Sequence, residues 1–325
     1  MSDGTYAAEK TTVAVVGLGL LGRGIAACLL GHGFRVVGFA RSAESHEVAR
    51  RSIQQAIDEL IEYAQADPAL KDQWPQRYQE TQGFDDWPRC EFVIESVAED
   101  AQIKGEVFDR IEQIVDAATP IASNTSAIAI TDLQADRRHP ERFLGMHWAE
   151  PAHATRFLEL IRGQQTADEP LQAAVALGRR CGKQPCVLSK DIPGFIVNRL
   201  AYAMYREALH LVEEGVADAE TIDRSFRNGC GLWASLCGPF RWIDLSGGPA
   251  LYAKAMKTVL PSLSTDSEVP AWIQQLADEG AQGIVNGRGF YDYTPEQAEQ
   301  AEALYRQHAW NISRMMDEYF PLEEQ

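Results

Sequence analysis

Residues 145–161, GMHWAEPAHATRFLELI, carry a histidine at the end of one apolar run and, twelve positions later, a single acid inside another. Phe157, Glu159 and Ile161 alternate with Leu158 and Leu160, so a strand places Glu159 on the face shared with Phe157 and Ile161. A carboxylate buried there needs a partner, because desolvating an unpaired charge costs several kcal/mol. With RFLGMHW and RFLELI as neighbouring strands joined by PAHAT, His147 is the candidate. Histidine titrates near about 6.5, which suits reversible proton transfer, and a buried carboxylate stabilises its cationic form. The pair is either a satisfied structural contact or an acid–base device. His153, in the turn between the strands, is expected to be exposed.

A second chemical signature lies at GLGLLGRG, where Gly17, Gly19 and Gly22 form G-x-G-x-x-G around Leu20 and Leu21. The first glycine permits a tight turn, the second lets a pyrophosphate approach the backbone, and the third packs helix on strand. The motif ends a β-branched run, TTVAVVG, and opens an apolar-periodic helix, with a second strand, RVVGFA, at the right distance. That context makes it a dinucleotide site, with Leu20 and Leu21 in the cofactor's reach. An acid after the second strand would select NAD; the chain instead reads Ala40-Arg41-Ser42. Arg41 can pair with a 2′-phosphate and Ser42 can add a donor, so NADP is expected in preference to NAD.

The elements that must carry these residues alternate. Strand candidates CEFVIES, TPIASN and RFLGMHW follow a long helix from about residue 43 to 63. The β-α-β order over the first ~190 residues predicts α/β architecture: an N-terminal, doubly wound Rossmann-type sheet. After PCVLSKDIPGF the pattern changes, and VNRLAYAMYREALHLVEEG opens an all-α C-terminal domain. The expected division is a flexible arm at 1–10, a dinucleotide-binding domain at 11–190 and a helical domain at 191–325. The last helix opens TPEQ, with Thr294 as N-cap and Gln297 as capping-box partner. Leu304, His308, Ile312, Met315 and Tyr319 are expected to form one face, for the core or for a subunit contact rather than for a cofactor.

With 325 residues the chain can bury a sizeable core. A net charge of -17 and a pI near 4.8 argue against nucleic acid or anionic membrane as partners. No window approaches a membrane span, and MSDGTYAAEK has no apolar h-region. The six cysteines show no CxxC pairing and read as reduced thiols of a cytoplasmic protein, with no metal.

Taken in order, GLGLLGRGIA, VIESVAED, SNTSAI, the His147–Glu159 spacing, KDIPGFIVNRL and GRGFYDY resemble the L-3-hydroxyacyl-CoA dehydrogenases, the 3-hydroxybutyryl-CoA dehydrogenases among them. The resemblance runs from about residue 12 to 293. It implies that His147 takes the proton of a substrate hydroxyl while hydride leaves for nicotinamide, and that Glu159 orients His147 and raises its basicity. It further implies that Ser126 and Asn198 hold the substrate oxygens and that Glu99 and Lys104 touch the cofactor. A homodimer through the helical domain and a role in fatty acid metabolism follow from the same likeness.

The chain departs from that pattern at three places. The family's acid after the second strand is absent. HFFNP is replaced by HWAEP, so Glu150 stands where an asparagine meets cofactor or substrate, and a carboxylate there only accepts hydrogen bonds. Residues 52–70 hold four acids and no lysine or arginine, where members acting on coenzyme A thioesters carry basic residues. Arg50 and Arg51 lie just upstream. The leading expectation is a small-molecule dehydrogenase interconverting a 3-hydroxyacyl-CoA and its 3-keto form. The alternative is the same chemistry on a small free 3-hydroxy acid, as in carnitine or gulonate dehydrogenases. A dinucleotide-binding protein without turnover would not need His147, Glu159, Ser126 and Asn198. A lysine-based hydroxyacid mechanism is disfavoured, since Gly194-x-x-x-Asn198 has asparagine where it needs a base.

Overall fold

The computed structural model describes residues 8–84, 87 and 89–322. Of the expected N-terminal arm, 1–7 lie outside the described residues and Ala8–Lys10 form one 3-10 turn. The chain then runs β1 (Thr12–Val16), α1 (Leu20–Gly31), β2 (Arg35–Phe39), α2 (Ala43–Tyr63), α3 (Leu70–Arg77), β3 (Tyr78–Thr81), β4 (Phe92–Glu95) and α4 (Ala101–Ile114). It continues through β5 (Ile121–Ser123), α5 (Ile130–Gln134), β6 (Phe143–His147), β7 (Phe157–Ile161), α6 (Asp168–Arg180) and β8 (Gln184–Leu188). These strands make one eight-stranded sheet in the order β3-β2-β1-β4-β5-β6-β7-β8.

Every neighbouring pair is parallel except β6–β7. The exception has a simple cause. The nine residues 148–156 hold no helix, and a parallel return needs a longer crossover. Apolar residues cover both faces of β1: Val13 and Val15 pack with Ile25, Leu29 and Ile94, while Ala14 and Val16 pack with Val37, Val93 and Ile121. A sheet covered on both faces reads as a continuous apolar run rather than an alternation, as TVAVV does. The doubly wound α/β sheet expected from the sequence is therefore present. Two edge strands were not legible: β3 is polar YQET, and β8 carries Pro185, both tolerated only at an edge.

The chain divides into two compact units, residues 1–196 with 306–325, and residues 197–305. The second unit is helical: α7 (Val197–Glu213), α8 (Ala219–Asn228), α9 (Cys230–Ala234), α10 (Pro239–Leu245), α11 (Gly248–Val259), α12 (Ala271–Asp278) and the first part of α13 (Pro295–Tyr319). Asp218 caps α8 by accepting the Thr221 N–H at 2.8 Å, and Trp233 stacks on Trp242 at 5.4 Å. The Thr294–Gln297 capping box forms in both directions, at 2.9 and 3.3 Å.

Within the single chain, α13 packs by a different residue from those of the expected stripe, which leaves the subunit-contact reading of that stripe open. Leu304 and Tyr319 are exposed, and Trp310 is the buried residue. A 3.6-residue period finds a face but cannot say which face docks. Among the described residues no helix is long and apolar enough to cross a membrane.

Candidate active site

The sheet order reverses direction at β1, which has β2 on one side and β4 on the other. The loops after β1 and β4 therefore diverge and leave a crevice at the strands' carboxyl ends. Gly17 sits there at φ +98°, and a Cβ on it would lie 2.5 Å from the Ser96 carbonyl oxygen. A Cβ on Gly22 would meet the Gly17 oxygen at 1.8 Å, so helix and turn touch through bare backbone. Gly19 is different, with nothing within 4 Å of an added Cβ. It is the N-cap of α1 and supplies no side-chain cap, so the first-turn N–H groups receive no acceptor from the cap residue's side chain. That cradle fits an anionic pyrophosphate. Leu20 is exposed beside it and Leu21 half-buried.

Arg41, just past β2, is exposed and has no acidic partner among the described residues. The Ser42 hydroxyl caps α2, accepting the Ser45 N–H at 3.2 Å. Beyond β4, Glu95 and Lys104 are both fully buried. The Lys104 ammonium donates to Glu95 at 2.9 and 3.1 Å and lies 3.3 Å from Glu99. Ser123 donates to the second Glu95 oxygen at 2.6 Å. Glu99 Oε1 accepts from the Thr125 hydroxyl and from the N–H groups of Ser126 and Ala127. Burial works against the Glu99 anion, but those donors, with Lys104, hold its carboxyl below the usual range. The cluster fixes the loop that presents Ser126, whose own residue is exposed. Lys104 is sealed within it, so an effect on a cofactor would pass through Glu99.

His147 ends β6 and Glu159 is its cross-strand partner in β7. His147 Nδ1 donates to Glu159 Oε2 at 3.0 Å, and the other carboxylate oxygen accepts the Ile196 N–H at 3.1 Å. Both side chains are buried. The antiparallel register is what brings residues twelve apart face to face. Phe157 and Phe195 stand edge-on around the imidazole at 5.7 and 5.5 Å. Phe195 is itself fully buried at φ +52°, a left-handed conformation that is costly for a bulky residue. Asn124 bridges strands, accepting the Trp148 N–H at 2.9 Å and donating to the Ser96 hydroxyl at 3.1 Å.

Burial pushes the Glu150 carboxyl up, against the pull of His153 and Arg23 and with Glu59 adding to it. His153, expected in solvent, is half-buried and lies 2.9 Å from Glu59. Asn198 lies in the first turn of α7 and belongs to the helical unit. Reasoning from sequence did not single out Glu95, Ser123, Asn124 or Phe195. The signals were present: an acid closing the strand VIE, two polar residues immediately before the Thr-Ser of SNTS, and an aromatic after Pro-Gly.

Residues 12–192 match 3-hydroxyacyl-CoA dehydrogenase, NAD binding domain, and residues 194–293 match 3-hydroxyacyl-CoA dehydrogenase, C-terminal domain. The chain belongs to the 3-hydroxyacyl-CoA dehydrogenase family. It is an oxidoreductase of that type, using a nicotinamide dinucleotide on a CH–OH group. Within the family it is 35% identical to a 5-formyl-3-hydroxy-2-methylpyridine 4-carboxylate 5-dehydrogenase of Mesorhizobium japonicum, over 90% of this chain and 93% of the relative. It is 32% identical to a probable 3-hydroxybutyryl-CoA dehydrogenase of Deinococcus radiodurans, over 86% and 99%. A crystal structure of the former kind of enzyme, described as an NAD+-dependent dismutase, superposes with a TM-score of 0.88. That match is 33% identical and covers 94% of this chain and 98% of the other.

Proposed function

We propose that the chain is a dehydrogenase of a small free acid, with His147 as general base and Glu159 as its orienting partner. The observation that carries the substrate class is the state of the cations beside α2. Arg50 is held by both oxygens of Glu80 at 2.5 and 2.6 Å, and Arg51 pairs with Glu47 at 3.4 Å. With four acids and no lysine or arginine over 52–70, that stretch carries no cation for a coenzyme A 3′-phosphate, and the two arginines just upstream of it are engaged by acids. The 5-formylpyridine carboxylate dehydrogenase among the relatives acts on a substrate without coenzyme A, by its name.

Nicotinamide, when bound, supplies the hydride acceptor. The chain's own part is the proton. Because Nδ1 is engaged by Glu159, Nε2 is the ring atom left to accept the hydroxyl proton. The resulting imidazolium sits against a carboxylate that cannot rotate away, because Ile196 holds its second oxygen. Phe157 and Phe195 exclude water from that pair and strengthen its attraction. A hydrated formyl group offers the same H–C–O–H arrangement as a secondary alcohol, so one base serves either substrate.

NADP is the proposed cofactor, supported by the exposed Arg41, which has no acidic partner among the described residues, and by the missing acid after β2. Ser126, Asn198, Glu99 and Glu150 are the proposed substrate and cofactor contacts. A cytoplasmic homodimer through the helical unit is proposed, supported by exposed Leu200, Tyr202 and Phe240.

The test is turnover with acetoacetyl-CoA, free acetoacetate and the 5-formylpyridine carboxylate, each with NADP(H) and NAD(H). Turnover on a free acid, with the thioester at least ~100-fold poorer in kcat/KM, is expected. A thioester preference would return the chain to acyl-CoA chemistry, and an NAD(H) preference would remove Arg41's role.

A further inference from the structure

The connection 148–156 joins the two strands that carry His147 and Glu159, and it is held from outside by residues beyond the matched family domains, which end at 293. The hub is Glu59, on α2. One of its oxygens lies 2.9 Å from His153 Nε2 and accepts the Trp310 indole N–H at 3.2 Å. The other accepts from Gln55 at 3.0 Å and lies 3.8 Å from Arg306. Burial alone would push this carboxyl up, yet its donors, His153 first among them, hold it below the usual range. Trp310 is only 3% exposed, its ring 5.8 Å from His153 and 5.6 Å from Tyr63.

The far end of the connection is held as firmly. Arg156 donates to the Phe320 carbonyl at 2.5 Å and to Asp317, and its own side chain is buried. Buried Lys183 donates to the carbonyls of Ala152 and Thr155. Two of the nine connecting residues, His153 and Arg156, thus engage the segment 306–320 directly or through Glu59.

We propose that the segment 306–320 is a strap that fixes the connection 148–156, making Trp310, Glu59 and Arg156 positioning residues for the His147–Glu159 pair. This rests on the reading of that pair as the catalytic one. The physical logic is that a misplacement of about 1 Å between reacting groups costs on the order of 100-fold in rate. A nine-residue connection without secondary structure does not hold such tolerance by itself. The strap supplies the tolerance without touching substrate.

Full-length Trp310→Ala, Trp310→Phe and Arg156→Gln would be compared with wild type and His147→Ala. The readouts are kcat, KM, NADPH affinity and hydrogen exchange by peptide. Trp310→Ala should lower kcat about 10-fold or more, with KM and NADPH affinity within about threefold. Exchange should quicken in 148–157 and stay unchanged in 12–31, and Trp310→Phe, which keeps the ring, should recover part of kcat. Arg156→Gln cuts the other end and keeps the question open to test if Trp310→Ala does not fold. Unchanged exchange in 148–157 would overturn the strap. So would a uniform loss in which stability, NADPH affinity and kcat fall together. If His147→Ala keeps wild-type turnover, the reading of the base fails, and the exchange data alone then judge the strap.

Discussion

At the scale of single residues, the pair at the end of β6 and β7 separates charge from geometry. Glu159→Gln keeps the length of the side chain and an oxygen for the Ile196 N–H, but removes the negative charge facing the imidazole. If the charge is what stabilises the protonated base, kcat should fall at least ~100-fold with cofactor affinity retained. Steady-state kinetics alongside NADPH fluorescence titration would decide, and an active Glu159→Gln would leave the carboxylate a structural role only. Phe195 poses a different question, because its backbone is left-handed and its ring is buried against His147. Phe195→Leu keeps bulk and backbone cost but removes the aromatic edge. It should lower kcat about 10-fold while KM changes little. A raised KM with kcat unchanged would place the ring at the substrate instead. His147 and Glu159 were legible in the sequence because a lone acid inside an apolar alternation needs a partner. Phe195 was not, since apolar residues after Pro-Gly are common and the positive φ that aims this one is invisible in a string of letters.

At the scale of elements, the interest is how β4, α4 and the loop after β5 are tied by charge. Lys104 lies between Glu95 and Glu99 with no solvent on it, so removing it leaves a buried carboxylate unpaired. Lys104→Met should destabilise by about 3–5 kcal/mol, read as a lowered midpoint in urea at constant slope. Glu99 adds a pH dependence whose sign is set by its depressed carboxyl. A group with a folded pKa below its unfolded value contributes stability above the unfolded value and loses it as the pH falls through the folded one. Wild type should therefore lose stability on acidification from about pH 5 downward, and Glu99→Gln should show a flatter curve over that range. Identical slopes would show that Glu99 titrates alike in folded and unfolded chains. Most elements were readable from apolar runs and glycine stops, since β1, β2, β4 and β6 are covered on both faces. The edge strands β3 and β8 escaped because a strand paired on one side only can be polar or hold a proline. The docked face of α13 escaped because Trp310 finds its partner, Glu59, 251 positions away.

At the scale of the whole molecule, a net charge of -17 faces a cofactor and a proposed substrate that are both anions. Two fields compete at the crevice. The global one repels, and it acts over distances that about 0.15 M salt screens to roughly 8 Å. The local one attracts, through the first-turn N–H groups of α1 and the exposed Arg41, and it acts within a few ångströms, where salt weakens it least. Encounter is governed by the long-range field and residence by the short-range one. Raising NaCl from about 20 to 200 mM should therefore speed NADPH association about two- to threefold while changing the dissociation rate less. Stopped-flow fluorescence resolves the two constants. An association rate that falls with salt would mean that the local cations reach beyond the crevice and steer the cofactor in. Arg41→Ala would then abolish that dependence, whereas under global repulsion it would leave the salt slope in place and raise only the dissociation rate.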